Sequence, residues 1–533
     1  NIPQLSLNLS ARSSKNTSFS TDLFLWTPLT GSDADYAKGL NLGVNLNGKH
    51  STKFGTFSVR MGGIHWYTLS PFTFATNTGY NRISLFERNP WDPNTKNEMD
   101  RYSRYYKEGL LNQDTRWGQQ AFQGFILEGM RLPKQFSFAF MHGKSQFNGG
   151  SLPTPNTLTA GKIKKDFNKG FVSANAITSV RYSDSLAMET IGFNLVTSEF
   201  EWRFKDVKVK GEIGAGTYFS PSYTSEWGEA LDIKVELSKN LTYFPIEFRY
   251  FQISPNVINN NGVFWNTSIS EYNDAITSGT VTEGSQAPII PFASSLVSIG
   301  QMTNNRRGAI INLDMPFEKH KITLGYSAAK EIVGLSDRIT YGHTANNLAL
   351  SRMWRWAFPS DVGPYGNLNK VYRGVYETVI ITDSTTSAKG FNSVEISYKS
   401  NYKIFNRDLY IFYLGGFYSV QDDLSALPQF SKKAYLQSYS NQVEFYYNIF
   451  DKVVLSNYFG IDRIIANERT QVDVQSNLAK NQIGYSYAIG LDIQLSKNTG
   501  LYVRQRWMNY KDLNFSLDRY SGTETSVELK IYF

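Results

Sequence analysis

The densest group of cationic and aromatic residues in the sequence lies in the segment 351–373. Arg352 and Arg355 are interleaved there with Trp354 and Trp356. Indole rings stack on the faces of sugars, and guanidinium groups form charge-assisted hydrogen bonds with anionic groups. The composition therefore suits the binding of a carbohydrate or an anionic solute. It suits equally a loop whose aromatic side chains only anchor a rigid core.

Residues with catalytic or metal-binding potential form no recognisable motif. The 5 histidines are scattered, and no HExxH, GxSxG, phosphate-loop or dinucleotide-binding pattern occurs. A segment that begins at Asp92 departs from a calcium loop at Asn97 and Ser103, where glycine and glutamate are required. Glu199 and Glu201 are alternate residues of one strand face, so lining a polar surface explains them as well as acid–base chemistry does. We therefore expect that the protein is not an enzyme and that it binds neither a metal nor a cofactor.

The composition narrows the class of protein. The 533-residue chain is 41% hydrophobic, 15% aromatic and 19% charged, and it contains no cysteine. Disulfides and thiolate metal sites are thereby excluded, and no apolar run reaches the roughly eighteen residues of a membrane-spanning helix. The net charge of +8 is spread along the chain without a basic block, so we expect no nucleic-acid partner. A secretory signal is expected to have been removed before residue 1.

Apolar and polar residues alternate along most of the chain, as in the segment 483–495. The alternating runs are about ten to fifteen residues long, whereas ordinary strands have about five or six and tilted bilayer-spanning strands about nine to eleven. Strands are predicted at 17–28, 38–48, 53–67, 119–131, 135–146, 187–204, 207–219, 229–238, 242–254, 306–316, 321–332, 390–404, 408–421, 434–449, 452–465, 482–496, 499–510 and 521–533.

The predicted connections are of two kinds. Short polar turns are predicted at 48–51, 132–134, 205–206, 238–240, 318–320, 406–407, 451–452 and 497–499. Long segments are predicted at 68–117, 147–185, 255–304 and 333–388. Short turns at one rim and long loops at the other are typical of outer-membrane barrels.

The predicted fold class is all-β: a single transmembrane antiparallel β-barrel of about 18 strands, with a range of about 16 to 20. Residues 14–533 form this one domain, with short periplasmic turns and the four long segments as extracellular loops. Residues 1–13 also alternate, but counting them as a spanning strand would leave an odd number. They are therefore interpreted as an N-terminal extension or a partial strand. Closure is expected between the segment 521–533 and the first N-terminal strand.

In a barrel that faces lipid, the apolar side chains point outward and the polar ones point inward. Among the predicted inward cations, Arg60, Arg504 and Arg506 are candidates for the lining of a pore. The other predicted inward charges are Arg203, Lys208, Lys210, Lys234, Arg249, Lys399, Lys530, Glu199, Glu201, Glu212, Asp232, Glu236, Glu247, Asp314, Glu395, Glu444, Asp492 and Glu528. The two signs nearly balance, so the interior is expected to be wet or crossed by ion pairs, without strong charge selectivity.

The last strand carries the most specific signal. Val527, Leu529, Ile531 and Phe533 alternate with polar residues or tyrosine, and the sequence stops on the aromatic residue. This strand resembles the closing strand of Gram-negative outer-membrane β-barrel proteins, which the barrel-assembly machinery recognises. The segment Trp117–Phe125 also resembles an element of large porin-like and alginate-export-like barrels, although no ligand-binding residue can be carried over from it.

The resemblance implies a location in the cell outer membrane. The partners that it implies are outer-membrane lipids, lipopolysaccharide and the barrel-assembly machinery. No segment resembles the plug domain of a TonB-dependent receptor.

Two functions fit these features. The first is a porin-like channel for small polar or anionic solutes or carbohydrates, constricted by inward-folded loops that include Arg352 or Arg355. The second is a non-catalytic docking subunit of a larger outer-membrane complex for secretion, assembly or uptake, with a plugged or incidental pore. Its extracellular loops would contact other outer-membrane proteins or lipoproteins, and the aromatic residues of 68–117 have the composition of an interface. Conductance of the purified protein distinguishes the two.

Overall fold

The computed structural model describes most of the strand-forming sequence and parts of the connections. The described residues are 4–26, 41–65, 67–75, 100–108, 122–145, 156–182, 190–221, 223–259, 261–262, 304–333, 338–342, 376–381, 388–422, 434–466, 470–471, 481–514, 516 and 519–531. The segment 351–373 lies outside them.

The described residues form strands almost throughout. The strands are β1 Gln4–Ser14, β2 Thr17–Trp26, β3 Asn41–Thr52, β4 Gly55–His65, β5 Phe122–Leu132, β6 Phe136–Ser145, β7 Asn156–Phe167, β8 Gly170–Tyr182, β9 Thr190–Arg203, β10 Val207–Ser220, β11 Tyr223–Thr224, β12 Gly228–Leu237, β13 Ile246–Ile253, β14 Arg306–Pro316, β15 His320–Glu331, β16 Arg338–Gly342, β17 Tyr376–Ile381, β18 Lys389–Ile404, β19 Arg407–Asp422, β20 Ala434–Phe450, β21 Val453–Ala466, β22 Thr470–Gln471, β23 Asn481–Ser496, β24 Thr499–Asp512 and β25 Arg519–Ile531.

Helical structure in the described part of the chain is brief. It consists of α1 Asp100–Glu108, α2 Lys239–Thr242 and the 3-10 turn Pro133–Gln135. Neither helix has the length and hydropathy that a membrane span requires.

The strands form one large antiparallel sheet and one small sheet. The large sheet has 22 strands in the described residues, and the two-residue strand β11 is one of them. Its long strands pair with their neighbours in chain order, except that β15 pairs with β18 and β21 with β23. The three strands passed over, β16, β17 and β22, form the small sheet among the connections. The prediction of an all-β antiparallel fold is confirmed.

The connections sort onto two rims. The short ones lie at one rim, here called the turn rim, at 15–16, 53–54, 133–135, 168–169, 204–206, 238–245, 317–319, 405–406, 451–452 and 497–498. The opposite rim, here called the loop rim, includes the long connections 66–121, 254–305 and 332–388. Every connection of two or three residues between long strands therefore lies at the turn rim, as the sequence predicted, whereas the loop rim also has connections of intermediate length such as 513–518. One predicted turn is misplaced: β3 runs through 48–51, and the chain turns at Lys53 and Phe54 instead.

The predicted count of about 18 strands is not confirmed, because the large sheet contains three long strands that the sequence analysis did not place. Residues 4–14, interpreted as an extension or partial strand, form β1, which pairs with β2 along its length. The predicted loop 147–185 contains the hairpin of β7 and β8. The outward residues of β8 include Ala174, Ala176 and Thr178, so small side chains conceal its alternation.

The ends of the sheet differ from the expected closure. Each neighbouring pair of long strands is antiparallel, and an even number of such steps separates β1 from β25, so both run from the loop rim to the turn rim. No pairing joins β1 to β25 within the described residues. The expected closure of 521–533 onto the first predicted strand, 17–28, is therefore not found, because β1 and β3 occupy both edges of that strand.

The two faces of the large sheet are inverted relative to a soluble protein. On the outer face, Val196, Ile213 and Phe248 are between 44% and 53% exposed. On the inner face, Thr197, Glu212 and Asp232 are at most 8% exposed. Soluble sheets bury their apolar face and expose their polar face. The observed arrangement is the one expected where the outer face meets hydrocarbon.

Two facing glycines bend the sheet where β4 and β5 approach the long connection between them. Gly62 has φ +114° and pairs with Gly124, whose φ is +154°. A Cβ atom on Gly62 would lie 1.9 Å from the carbonyl oxygen of Val44. The register also shifts between Gly62 and His65, which is the signature of a β-bulge.

We expect Gly62→Ala to reduce the amount of folded protein, because the alanine meets backbone atoms and adopts a disfavoured φ. The cost should be about 1–3 kcal/mol or more. The measurement is the fraction of heat-modifiable protein after refolding into detergent. Gly161→Ala is the matched control, since its Cβ would lie 3.7 Å from the nearest atom. Equal yields of the two variants would contradict the argument.

Candidate functional site in the polar interior

Helix α1 lies against the inner face of the sheet and is the main feature of the candidate site. Its sequence places Tyr102, Tyr105 and Tyr106 at helical spacings of three and four, so the three rings share one face. All three side chains are buried, and they form one cluster with inner-face residues of four strands. The strand residues of this cluster are Tyr410, Phe412, Tyr446, Val454, Tyr458 and Ala488.

Tyr102 anchors the first turn of α1. Its ring stacks on Tyr446 with a centroid distance of 4.0 Å, and its hydroxyl donates to Asp492 Oδ2. Burial, followed by the nearby carboxylate of Asp492, raises the pKa of Tyr102 well above its usual value. The phenol therefore keeps its proton and remains a donor. Asp492 also forms an ion pair with Arg504, which links the helix to β23 and β24.

Two lysines hold the second half of α1. Lys399 Nζ lies 3.8 Å from the ring centroid of Tyr105. Lys321 Nζ donates to the backbone oxygens of Tyr106 and Lys107 at 2.8 and 2.9 Å. A cation at the C-terminal carbonyls of a helix satisfies unpaired acceptors and complements the helix dipole. The contacts therefore position α1 at both ends.

The position of α1 along the strands shows how deeply it is inserted. The helix belongs to the connection 66–121 of the loop rim, yet Lys321 is the second residue of β15 after the turn rim. The Tyr106 hydroxyl donates to the backbone oxygen of Glu318 within a turn-rim connection, at 3.3 Å. Helix α1 therefore docks against the inner face close to the turn rim.

A second insert from the same connection, residues 67–75, lies on another part of the inner wall. Glu212 accepts hydrogen bonds from the backbone amide of Phe72 at 2.9 Å and from the Ser70 hydroxyl at 2.7 Å. Thr197 donates to the same carboxylate. Lys162 Nζ donates to the backbone oxygen of Leu69 at 2.7 Å. Together these polar contacts hold the insert against β7, β9 and β10.

The connection that follows β13 closes over this insert. Asn259 Nδ2 donates to the backbone oxygens of Phe72 and Thr73, at 2.6 Å in each case. The Ala75 amide donates to the backbone oxygen of Asn261 at 2.9 Å. Val257 and Ile258 are also buried here. The two inserts therefore lie against different parts of the inner face.

The inner wall between the two inserts is crossed by ion pairs. Arg249 forms a two-point contact with Asp232 at 2.6 and 2.8 Å, and Lys234 pairs with Glu247 at 2.7 Å. Neighbouring strands are linked in the same way by Lys208–Glu201, Lys208–Glu236 and Lys210–Glu236. Lys162 on β7 reaches across β8 to Glu199 on β9, and Arg203 pairs with Glu201 within β9. These pairs are the cross-bridged wall that the balanced inward charges predicted.

The candidate pore residues named from sequence fall in three places. Arg60 lies half-buried on the inner face and pairs with Glu128 at 3.2 Å. Arg504 and Arg506 are buried on β24, with Arg506 lying 5.6 Å from the ring centroid of Tyr458. Arg352, Trp354, Arg355 and Trp356 lie outside the described residues. The structure therefore brings Arg504 and Arg506 to the cluster beneath α1 and leaves Arg60 elsewhere on the wall.

Sequence reasoning missed α1 as a functional element. The predicted interface composition of 68–117 rested in part on Tyr102, Tyr105 and Tyr106, which α1 buries against the inner face. A signal was present in the spacing of Tyr102, Tyr105 and Tyr106, which is helical rather than alternating. Within the described residues, no group of three or more histidine, aspartate or glutamate side chains could hold a metal ion.

We expect Glu212→Ala to release the insert 67–75 from the wall. The Phe72 amide and the Ser70 hydroxyl lose their acceptor, so the backbone of the insert should open more often. Hydrogen exchange should accelerate by about ten-fold or more in peptides that cover 67–75, which is the factor for about 1.4 kcal/mol of lost protection. Glu229→Ala removes an exposed carboxylate on β12 and serves as the control. Unchanged exchange in the Glu212 variant would contradict the proposed anchoring.

Comparison with solved structures finds matches of low sequence identity. A BenF-like porin from Pseudomonas fluorescens is 10% identical, with 100% of this chain and 98% of that chain covered and a TM-score of 0.31. Pseudomonas aeruginosa OccK2 (OpdF) is 7% identical, with coverage of 100% and 98% and a TM-score of 0.30. A bacterial polysaccharide outer membrane secretin is 8% identical, with coverage of 71% and 91% and a TM-score of 0.28.

No family model and no curated protein matches the chain. Superpositions with TM-scores near 0.3 place the chain in no family. The fold and the site therefore rest on the strand pairings, the inverted faces and the docked helix.

Proposed function

We propose that the chain is a porin-like channel of the outer membrane that passes small polar or anionic solutes or carbohydrates. The observation that carries the proposal is the inversion of the sheet: its outer face is apolar and exposed, and its inner face is charged and buried. An apolar outer surface is stable in hydrocarbon, and a polar inner surface is stable against water. The proposal assigns no catalytic step to the protein.

Membrane embedding requires that the sheet close into a barrel. Unpaired backbone groups at an open edge would cost several kcal/mol each in hydrocarbon. We propose that β1 and β25 meet, and the direction of the two strands makes that contact parallel. A sheet of 22 strands is wide enough to leave an aqueous interior unless inserted segments fill it.

The solute class is inferred from the side chains around α1. Lys321, Lys399, Arg504 and Arg506 surround the helix together with tyrosine rings. Cations bind anionic groups, and aromatic faces accept cations and sugars, so this lining favours anionic or carbohydrate solutes. The segment 351–373, with Arg352, Trp354, Arg355 and Trp356, remains a proposed second contribution to the constriction.

Reconstitution into planar bilayers tests the proposal. The wild-type protein is expected to insert and to give discrete conductance steps. A preference for small anions should make the steps larger in a chloride salt of a bulky cation than in a potassium salt of a bulky anion. A variant that lacks 345–375 tests the contribution of that segment. Protein that floats with vesicles but conducts no current would contradict the channel, whereas failure to insert at all would contradict membrane embedding.

A second candidate function is favoured by the same inserts. Helix α1 and residues 67–75 both occupy the interior, which is the arrangement of a plugged barrel. The chain would then be a structural or docking subunit of a larger outer-membrane complex, with contacts through its extracellular loops to other outer-membrane proteins or lipoproteins. A wild type that is silent, and stays silent after replacement of α1, would select this function. Lipopolysaccharide and the barrel-assembly machinery are proposed partners in either case.

A further inference from the structure

The turns of the turn rim share a basic composition. Lysine occurs in every one of these connections except 405–406, and that connection is flanked by Lys403 and Arg407. Around the first half of the rim, the consecutive turns carry Lys15, Lys53, Lys134, Lys169 and Lys205. The series continues with Lys239, Lys319, Lys452 and Lys497. Turn formation itself favours glycine, asparagine and aspartate, so it does not account for a lysine in nine of the ten turns.

The turn-rim connections carry far more lysines than carboxylates. Their nine lysines are all exposed, and they are accompanied by only three carboxylates, Asp206, Glu318 and Asp451. One of the three, Asp451, is paired with Arg407 at 3.0 Å. The turn rim therefore presents a ring of net positive charge.

Aromatic side chains mark the depth of this ring. Tyr243 and Phe405 are each 90% exposed within turn-rim connections. Other turn-rim connections contain or adjoin the exposed residues Phe54, Phe204 and Phe450. Exposed rings are unfavourable in water and collect at the level of lipid headgroups. The adjacent lysines can extend their apolar stems along this belt while their ammonium groups reach the phosphate layer. Lys53 already lies over the ring of Phe54, 4.9 Å from its centroid.

We propose that the turn rim is a binding surface for the headgroups of anionic phospholipids, such as phosphatidylglycerol. Because the lysines recur turn after turn, several of them face the same ring of surrounding lipid, and their attractions for negative charge add. This inference rests on the membrane embedding proposed above. It deepens that proposal by naming the lipid class that the turn-rim leaflet must supply.

Lipid binding to the full-length protein tests the inference. The purified protein is titrated with phosphatidylglycerol or phosphatidylcholine of identical acyl chains, and bound lipids are counted by native mass spectrometry. The wild type should favour phosphatidylglycerol by about five-fold or more at low salt, and the preference should fall as salt is added. The variant Lys15→Gln, Lys53→Gln, Lys134→Gln, Lys169→Gln, Lys205→Gln should lose most of that preference.

Matched variants separate the possible causes. The same five positions changed to arginine keep the charge and should keep the preference. Lys144→Gln with Lys511→Gln removes exposed lysines near the loop rim and should leave the preference unchanged. Equal binding of the two lipids by the wild type, or an unaltered preference in the glutamine variant, would overturn the inference.

Two further arms identify other sources of the same chemistry. Displacement of phosphatidylglycerol by inorganic phosphate at equal concentration would show a simple anion site and would overturn the lipid assignment. Lysine-dependent binding of purified peptidoglycan, without any lipid preference, would do so as well. A flotation assay with phosphatidylcholine vesicles is run in parallel. Protein that inserts but shows no preference contradicts only this inference, whereas protein that does not insert contradicts the proposed function.

Discussion

Replacing residues 100–108 with a glycine–serine segment of equal length is expected to raise the single-channel conductance of the reconstituted protein several-fold. The replacement removes the rings of Tyr102, Tyr105 and Tyr106 from the inner face. The contacts of α1 with Asp492, Lys399 and Lys321 are then lost. Conductance rises with the cross-section of the aqueous path, so loss of an inserted helix has a large effect. Planar-bilayer recording at fixed salt gives the measurement.

Two point variants show whether the docked position of α1 matters. Tyr102→Phe removes the hydroxyl that donates to Asp492 but keeps the ring on Tyr446, so a small rise or more frequent flickering is expected. Tyr243→Phe, an equivalent change at an exposed turn-rim residue, should leave the conductance unaltered. If the helix replacement conducts no better than the wild type, α1 is not the constriction.

Arginine at a mid-strand position of the outer face is expected to destabilise the protein strongly. Ile213 lies near the middle of β10 and is 46% exposed. On a soluble protein such a change would usually fall within about 0.5 kcal/mol of neutral. Facing the bilayer midplane, Ile213→Arg should cost about 2–4 kcal/mol. The experiment therefore distinguishes the two environments by a clear difference in the free energy of unfolding, measured with urea in lipid vesicles.

Depth provides the control for this prediction. Phe204 is exposed at the turn rim, where arginine should cost about 0–1 kcal/mol because its charge reaches water. Leu529 and Ile531 are also exposed, and arginine there should follow the same dependence on depth. The side chains of Glu528 and Lys530 lie outside the described residues, so their inward orientation stays a prediction. Equal costs at Ile213 and Phe204 would contradict a lipid-facing outer surface.

The strands could be predicted from sequence because alternation is a local property of the chain. Every predicted strand has a counterpart in the large sheet, and the run at 483–495 corresponds closely to β23. The three strands that the sequence did not predict, β1, β7 and β8, escaped prediction for different reasons. Large and small apolar residues do not alternate clearly in β7 and β8, whereas β1 alternates clearly and is excluded from the predicted barrel only because it would make the number of strands odd.

The candidate site could be predicted only in part, because it depends on contacts between distant segments. Inner-wall residues such as Arg504 follow from the alternation of their own strand. The docking of α1 does not, since Tyr102 meets residues of strands that lie hundreds of positions later. Similarly, Glu212 is one of many inward carboxylates in the sequence, and only its contacts with Ser70 and Phe72 distinguish it.

The separation of α1 from its partners has a consequence for the order of assembly. Tyr102 and Asp492 are 390 positions apart, and Lys321 is 215 positions from Tyr106. Contacts of such long range form late, since the cost of closing the intervening chain precedes any gain. When β1 to β10 have formed, the surface that holds α1 does not yet exist. Docking of α1 is thus expected among the last events of folding, whereas the insert 67–75 already has partners on β7, β9 and β10. If the chain forms the proposed channel, one that is arrested before β23 and β24 pair would lack the obstruction by α1.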